Sequence, residues 1–217
     1  MLQYSDTPLV LYALATSITP GPNNLLLLAS GVRFGVRASL PHVMGIVSGF
    51  ALLLVLSGMG LGALFSLLPW LPGLLKLIMA GWIVLLAWRM ISADVAHPSV
   101  LQRARPETSL PKQRARQRPM RFHEAVLFQW VNPKAWMMVL GVLAVYAPPA
   151  AGLAGLLRVS GLYAAIMLPA ILCWLLLGRT LQALLATPRR LRLFNLLMAA
   201  LLLASVLPAL LADAAFP

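Results

Sequence analysis

Two short helix-breaking stretches, each in the middle of an apolar run long enough to cross a bilayer, constrain this fold more than any other feature. The first is Thr-Pro-Gly-Pro-Asn-Asn at positions 19–24, and the second is Asn-Pro-Lys at positions 132–134. Irregular backbone at membrane depth is tolerated only where protein buries it or where water or a solute lines it. We therefore expect the two stretches to contribute to one binding site.

Both stretches remove hydrogen-bond donors from the backbone. Proline has no N–H, so the carbonyl four residues earlier loses its helical partner. Pro20 leaves the carbonyl of Thr16 unpaired in this way, and Pro22 leaves that of Ile18. The proline of the second stretch has the same effect on the carbonyl of Gln129. In hydrocarbon each of these carbonyls needs another partner.

The composition is that of an integral membrane protein. The chain has 217 residues, is 61% hydrophobic and only 10% charged, and has a mean hydropathy of +0.88. Soluble domains usually carry about 25% charged residues. A bilayer needs about 20 apolar residues per helix. The sequence predicts an all-α protein with six transmembrane segments at 9–30, 42–67, 74–91, 124–146, 157–178 and 193–212.

The net charge of +12 is unevenly distributed, and its distribution argues for a membrane orientation and against a nucleic-acid partner. Of the 17 basic residues, 14 follow the first, third or fifth segment. The positive-inside rule places those three loops in the cytoplasm and both termini outside the plasma membrane. These residues are Arg33, Arg37, Arg89, Arg103, Arg105, Lys112, Arg114, Arg116, Arg118, Arg121, Arg179, Arg189, Arg190 and Arg192.

The chain divides into two halves of three segments each, at 1–91 and 123–217, joined by a basic, proline-containing cytoplasmic linker at 92–122. An odd number of spans in each half places the halves in opposite orientations, which is the arrangement of a 3+3 inverted repeat. Each half begins with a segment broken by proline, with asparagine beside the break. In the second segment, Gly45 and Gly49 form a G-x-x-x-G spacing, for which we favour close helix packing over flexible gating.

Lys134 is about ten residues from either end of its segment, which places it near the bilayer midplane at about 1.5 Å per residue. A central lysine costs about 2.5–3.5 kcal/mol on insertion scales, and such residues mark transport pathways. One interpretation is that Lys134 only caps carbonyls freed by Pro133. The other, which we favour, is that it attracts a substrate anion or changes protonation during a transport cycle.

The two breaks together offer both halves of a site for a zwitterion. Pro22 can occupy the first turn of a half-helix whose unpaired N–H groups favour a carboxylate. The freed carbonyls and the asparagine amides can accept hydrogen bonds from an ammonium group, although a sugar or a neutral metabolite could use the same amides. The predicted substrate-binding residues are Thr19, Pro20, Gly21, Pro22, Asn23, Asn24, Asn132, Pro133 and Lys134.

Acidic and metal-binding groups are scarce. None of the five carboxylates lies deep in a segment, and a single cysteine, Cys173, gives no metal-ligand spacing, so we expect no metal and no cofactor. Glu124 and His42 each lie at the cytoplasmic start of a segment. Either could be a peripheral proton port, but we favour interfacial anchoring for both.

The chain resembles the LysE/RhtB family of bacterial amino-acid exporters. The resemblance rests on the first stretch at 19–23, the glycines and arginines of 31–37, Gly45, and Gln-Trp-Val-Asn-Pro-Lys-Ala at 129–135. It covers nearly the whole chain, and the first stretch looks closest to the cysteine and O-acetylserine exporters. The resemblance implies six spans and efflux of amino acids or their derivatives, by exchange with protons.

The function we expect is therefore secondary transport of a small amino acid out of the cytoplasm. The sequence has no G-x-x-x-x-G-K loop for ATP, so an ion gradient is the expected energy source. A passive channel and an exporter of another small metabolite are the alternatives. A membrane-embedded enzyme is less favoured, because the sequence offers no nucleophile, acid pair or metal cluster near an interface.

Overall fold

The protein is all-helical over the described part of the chain. The computed structural model describes residues 6–61, 67–68, 70–92, 118–146, 152–185 and 187–211, and these contain no strand. The predicted all-α class is thus confirmed for them, whereas most of the predicted linker lies outside them. The α-helices are α1 (Thr7–Ile18), α2 (Pro22–Leu56), α3 (Leu71–Ile91), α4 (Phe122–Trp130), α5 (Pro133–Tyr146), α6 (Gly152–Leu184) and α7 (Pro188–Leu211).

The first predicted break is confirmed. Helix α1 ends at Ile18, and Thr19 is extended, with φ −64° and ψ 145°. Helix α2 then begins at Pro22, with Gly21 as its N-cap. Proline suits this first helical position, because its N–H would have no helical partner there and its φ is already helical.

The second predicted break is confirmed as well. Helix α4 ends at Trp130 and α5 begins at Pro133, so that Val131 and Asn132 form the connection. The axes of the two helices differ by 66°. A single straight span over this region is therefore replaced by two short helices that meet at an angle.

The connection between the first two predicted segments differs from expectation. Residues 31–41 were predicted to form a basic loop, but they are helical apart from Gly35. Gly35 has φ 76° and ψ 178°, and it divides α2 into two helical parts. A residue without a Cβ adopts this positive φ readily, so the chain changes direction at one residue without a longer loop. A π-helical turn, Ser57–Leu61, follows α2.

Length and composition mark several helices as candidate membrane spans. Three described helical stretches are long and apolar enough to cross a bilayer, and the bent pair α4 and α5 makes a fourth if it counts as one span. The three are Pro22–Gly60, Gly73–Ile91 and Gly152–Leu184. Large apolar side chains also face outward, such as Leu77, which is 73% exposed, and Leu193, which is 68% exposed. A lipid environment accounts for these surfaces better than water.

The helices pack around two apolar clusters. In the first, α2 meets α5 and α6, with Ile46, Val139 and Tyr163 at its centre. In the second, α3 and α7 pack together against the first part of α2, around Leu25 and Leu202. The two parts of α2 therefore connect the clusters, and the two breaks lie beside this connection.

The predicted packing role of Gly45 and Gly49 is confirmed by the contact between α2 and α4. A Cβ on Gly45 would collide with the carbonyl oxygen of Phe122, and one on Gly49 would lie 2.8 Å from the Cα of Val126. Real Cβ atoms do not approach other atoms this closely, so the two backbones can meet here only because both residues are glycine.

Candidate functional site

The two broken regions lie together and line one pocket. Its volume, including the part open to the surroundings, is about 320 Å³. The lining residues are Thr16, Ser17, Gly21, Asn23, Asn24, Ile46, Phe50, Asn132, Lys134, Ala135, Met138, Met167 and Ile171.

The two carbonyls that the first break leaves without helical partners accept hydrogen bonds from side chains. The hydroxyl of Thr19 donates to the carbonyl of Thr16 over 2.9 Å. The indole Nε1 of Trp174, on α6, donates to the carbonyl of Ile18 over 3.0 Å. Local geometry alone satisfies the first carbonyl, whereas the second depends on a helix far away in sequence.

Asn24 holds the end of α1 against the start of α2. Its side chain is only 3% exposed. The amide Nδ2 donates to the carbonyls of both Ser17 and Thr19, at 2.8 Å each. This side chain therefore satisfies backbone acceptors on the far side of the break, and its position is fixed by the fold.

At the second break, the freed carbonyl is satisfied by a residue that is close to it in sequence. The N–H of Asn132 donates to the carbonyl of Gln129, 3.3 Å away, which satisfies the carbonyl that Pro133 frees. The side-chain oxygen of Asn132 accepts the N–H of Lys134 over 3.1 Å. Asn132 therefore acts as the N-cap of α5, and an oxygen in that position is favourable at a helix N-terminus.

The ammonium group of Lys134 links the two breaks. Its Nζ lies 2.5 Å from the carbonyl oxygen of Thr19, 2.9 Å from the hydroxyl oxygen of the same residue, and 3.3 Å from the carbonyl oxygen of Pro20. One interpretation of the sequence was that Lys134 caps carbonyls freed by Pro133. Its ammonium instead bonds the carbonyls of Thr19 and Pro20 at the opposite break, so the cation of one half contacts acceptors of the other.

Gly21 leaves the room in which the Lys134 side chain lies. A Cβ at Gly21 would be 2.5 Å from Cδ of Lys134 and 3.1 Å from its Nζ. The backbone of Gly21 is extended, with φ −179°, so its conformation does not require glycine. A Cβ would instead displace the flexible end of the lysine side chain, so the glycine allows the lysine its present position.

Asn23 and Gln129 form a reciprocal pair of amides between the two breaks. Nδ2 of Asn23 donates to Oε1 of Gln129 over 2.8 Å, and Nε2 of Gln129 donates back to Oδ1 of Asn23 over 3.3 Å. Gln129 is fully buried, and its Nε2 also bonds the carbonyl of Ala125. The sequence analysis did not assign Gln129 to the site, although it is the residue of the second motif that faces Asn23.

An apolar wall completes the pocket, and hydropathy alone does not predict it. Ile46 and Phe50 lie four residues apart on α2, as do Met167 and Ile171 on α6. Spacing of this kind is common on every helix of a membrane protein, so it cannot distinguish a pocket wall from a packed core. Above the wall, the hydroxyls of Thr16 and Tyr163 are 2.5 Å apart.

The nine predicted site residues fall into two groups. Gly21, Asn23, Asn24, Asn132 and Lys134 line the pocket. The other four lie beside it, either as partners of the lysine or as the first residues of a helix. They are Thr19 and Pro20, which accept hydrogen bonds from Lys134, and Pro22 and Pro133, which begin α2 and α5.

The acidic side chains of the described residues lie away from the pocket. The carboxylate of Asp6 pairs with Arg158 over 2.7 Å, which ties the start of α1 to α6. Glu124 pairs with Arg118 over 2.5 Å and accepts the N–H of Arg121, so it stabilises the start of α4. Its hydrogen bond raises the pKa of the Arg118 guanidinium above the ordinary value.

The expectation that His42 anchors at the membrane surface is wrong. The side chain is only 1% exposed. The sequence placed His42 at the start of a segment, but α2 is helical from Gly35 onward and α4 packs over this part of it. A residue that would otherwise reach the headgroups is consequently enclosed by protein.

Comparison with known proteins agrees with the arrangement of the two breaks. A sequence model of the family described as LysE type translocator matches residues 14–210 of this chain. Cysteine/O-acetylserine efflux proteins of Salmonella choleraesuis and Salmonella typhimurium are each 30% identical over 185 residues, which is 81% of this chain and 86% of theirs. A protein of the same name from Shigella flexneri is 30% identical over 187 residues, or 82% of this chain and 87% of its own.

No solved structure matches the chain. The family match includes both broken stretches and the helices that pack around them. The resemblance found in the sequence is confirmed, and the protein is a transporter and not an enzyme. This chain belongs to the LysE type translocator family.

Proposed function

We propose that the chain is a secondary transporter that exports small amino acids or their derivatives from the cytoplasm in exchange for protons. The observation that carries the proposal is the contact between Lys134 and the carbonyls of Thr19 and Pro20. It brings a cation of one break and acceptors of the other to the same pocket. An amino acid carries the two charges that complement those groups.

In the proposed mode of binding, the substrate replaces the contact between the two breaks. Its carboxylate bonds the ammonium of Lys134 and the free N–H groups at the start of α2. The carbonyls of Thr19 and Pro20, released by the lysine, then accept the substrate ammonium. Each group that loses a partner gains another one, so the exchange leaves no buried charge unpaired.

The relatives' names suggest the size of the cargo. They are described as efflux proteins for cysteine and O-acetylserine, both of which have short side chains. The pocket wall of Met138, Met167 and Phe50 is apolar and bulky, so it suits a short side chain better than a long or charged one. We therefore propose small amino acids of this kind as the substrate class.

We further propose six spans arranged as a 3+3 inverted repeat. The order of elements in the two halves supports this. In the first half, a short helix, a break and a helix beginning with Pro22 precede Gly35, at φ 76°, and a long helix. In the second half, the same order leads from α4 through Pro133 to Gly152, at φ 58°, and the long helix α6.

The proposed orientation has the three basic loops in the cytoplasm and both termini on the outer face of the plasma membrane. Its support is the distribution of lysine and arginine along the sequence. Cysteine labelling with an impermeant reagent tests it on the full chain. Modification of a cysteine placed at Ser5 in intact cells agrees with the orientation, and modification only after permeabilisation contradicts it.

The transport proposal is tested with purified protein in liposomes. Labelled cysteine, O-acetylserine, threonine and lysine are loaded in turn, and efflux is measured with and without an imposed proton gradient. Saturable efflux of the short amino acids that the gradient accelerates supports the proposal. The absence of movement of every amino acid contradicts it.

Counterflow distinguishes a carrier from a passive channel. Unlabelled substrate on the opposite side should accelerate the exit of labelled substrate through a carrier, because the loaded site returns faster than the empty one. A channel shows no such acceleration. Protein-free liposomes give the background leak that is subtracted from both.

A further inference from the structure

A second feature of the transport helices has no role in the site described above. His42 lies in the second part of α2 and is 1% exposed. Among the residues that the structure describes, neither ring nitrogen of this side chain has a hydrogen-bond partner. Buried polar groups are almost always paired, and the exceptions need an explanation.

The position of His42 relates it to the pocket. It shares one side of α2 with Ile46 and Phe50, four and eight residues later, and both of these line the pocket. The spacing corresponds to about one helical turn per step. The imidazole therefore lies on the side of α2 that lines the pocket. It is about two turns before Phe50 and closer to Gly35, the residue that divides α2.

The same part of α2 faces the start of α4. Gly45, three residues after His42, contacts Phe122, the first residue of α4. Glu124 lies in the first turn of that helix and is only partly buried, with Arg118 beside it. His42 is thus located between an acidic group at the mouth of the helix bundle and the pocket in its interior.

Few charges act on the imidazole. Of the titratable and charged groups on the described elements that pack against α2, Glu124 is the one whose charge reaches the ring. The others lie at helix ends, pair elsewhere, belong to the pocket or, like Cys173, are exposed. They are Asp6, Tyr12, Arg33, Arg37, Arg121, His123, Lys134, Tyr146, Arg158, Tyr163, Cys173, Arg179, Arg189, Arg190 and Arg192.

We infer that His42 is the group that takes up and releases the coupling proton during transport. A ring nitrogen accepts a proton when water reaches the site from one side of the membrane, and the imidazolium returns it to water on the other side. The proton comes from the gradient that the proposed function requires, so this inference rests on that function. Histidine suits the role, since an imidazole that water can reach changes charge between about pH 5 and 8.

The structure also explains why His42 can be replaced without loss of the fold. A buried polar group that bonds nothing contributes no favourable hydrogen bond, and an apolar group of similar size is tolerated in its place. His42→Phe should therefore insert and fold. His123→Gln is a matched control, because His123 is exposed on the neighbouring helix α4.

The first experiment measures efflux and counterflow of labelled cysteine and O-acetylserine in liposomes. For His42→Phe, we expect the ratio of efflux with and without a proton gradient to fall to unity, while counterflow persists and efflux no longer varies with pH. His123→Gln should retain the wild-type ratio. A wild-type ratio and pH profile for His42→Phe would overturn the inference.

A second experiment tests His42 even if the wild-type protein moves neither substrate, an outcome that would refute the proposed function alone. The chain has three histidines, so replacing His97 and His123 by glutamine leaves one. The ring signals of labelled His42 are then followed by NMR as the pH is lowered from neutral to the lowest value at which the protein stays folded. Reversible protonation of the ring is expected, and a ring that stays neutral throughout would overturn the inference.

Discussion

Replacement of Lys134 by methionine should abolish efflux while leaving the fold nearly unchanged. The structure allows the effect on stability to be worked out. Without the ammonium, the carbonyl of Thr19 keeps its hydrogen bond from Asn24, at 2.8 Å, and the hydroxyl of Thr19 keeps its bond to Thr16. Of the three acceptors, only the carbonyl of Pro20 is left without a partner among the described residues.

Two opposing terms then nearly cancel in the free energy of unfolding. Loss of hydrogen bonds to a charged group costs about 1.5–3 kcal/mol. Removal of a cation from the centre of a membrane helix returns about 2.5–3.5 kcal/mol. The stability of Lys134→Met should therefore lie within about 2 kcal/mol of the wild type.

The loss of substrate affinity in Lys134→Met is not offset by any opposing term. Truncating one partner of a buried, hydrogen-bonded charge pair costs about 2–5 kcal/mol. At about 1.4 kcal/mol per factor of ten, affinity should fall about 30- to 4,000-fold. The assay is substrate binding by the purified protein together with liposome efflux, with thermal unfolding measured on the same preparations.

A matched control is Met137→Leu, because Met137 is 61% exposed on the same helix and lies outside the pocket. It should leave affinity, efflux and unfolding unchanged. Wild-type affinity in a folded Lys134→Met protein would refute the assignment of the lysine to the substrate. A large loss of stability instead would show that the lysine serves mainly to hold the two breaks together.

Further variants test other parts of the site and the fold. Gly21→Ala should displace the Lys134 side chain, since the new Cβ would lie 2.5 Å from its Cδ, and so reduce efflux in a folded protein; efflux and thermal unfolding check this together. Asn23→Ala should cost about 1–3 kcal/mol of stability, because it leaves the buried Oε1 of Gln129 without its hydrogen-bond donor. Adding Gln129→Leu should recover part of that loss, and denaturation of the single and double variants measures the coupling. Gly35→Ala should destabilise the protein by about 1–3 kcal/mol, because alanine is strained at φ 76° and ψ 178°, and the fall in unfolding temperature reports it.

Asn23 has a structural partner as well as a predicted role in binding. The sequence placed it among the substrate-binding residues. The structure pairs its amide with the buried Gln129. Loss of efflux in Asn23→Ala would therefore have two explanations, and only the double variant separates a binding role from a packing role.

The positions of the breaks could be predicted from the sequence because their cause is local. A proline always lacks an N–H, so the end of α1 and the start of α5 follow from single residues. The partners of the freed acceptors could not be predicted in the same way. Trp174 reaches Ile18, and Lys134 reaches Thr19, only because of how the helices are rotated and packed.

Gly35 and His42 show the limits of hydropathy in a membrane protein. Basic residues on both sides of Gly35 suggested a loop, but a single glycine at positive φ turns the chain between two helices. The continuing helix then carries His42 inward, under α4. Hydropathy locates apolar segments along the chain, whereas the depth of one polar residue depends on which neighbouring helix covers it.

The contact between the breaks also has a consequence for the proposed cycle. If one half rocks against the other, Lys134 and Thr19 must separate or keep a partner between them. An amino acid can bridge the two groups through its carboxylate and ammonium, whereas an empty site would leave a cation and carbonyls unpaired in a poorly hydrated space. The loaded transporter should therefore cross between its two states faster than the empty one, which is the physical basis for the counterflow expected of this protein.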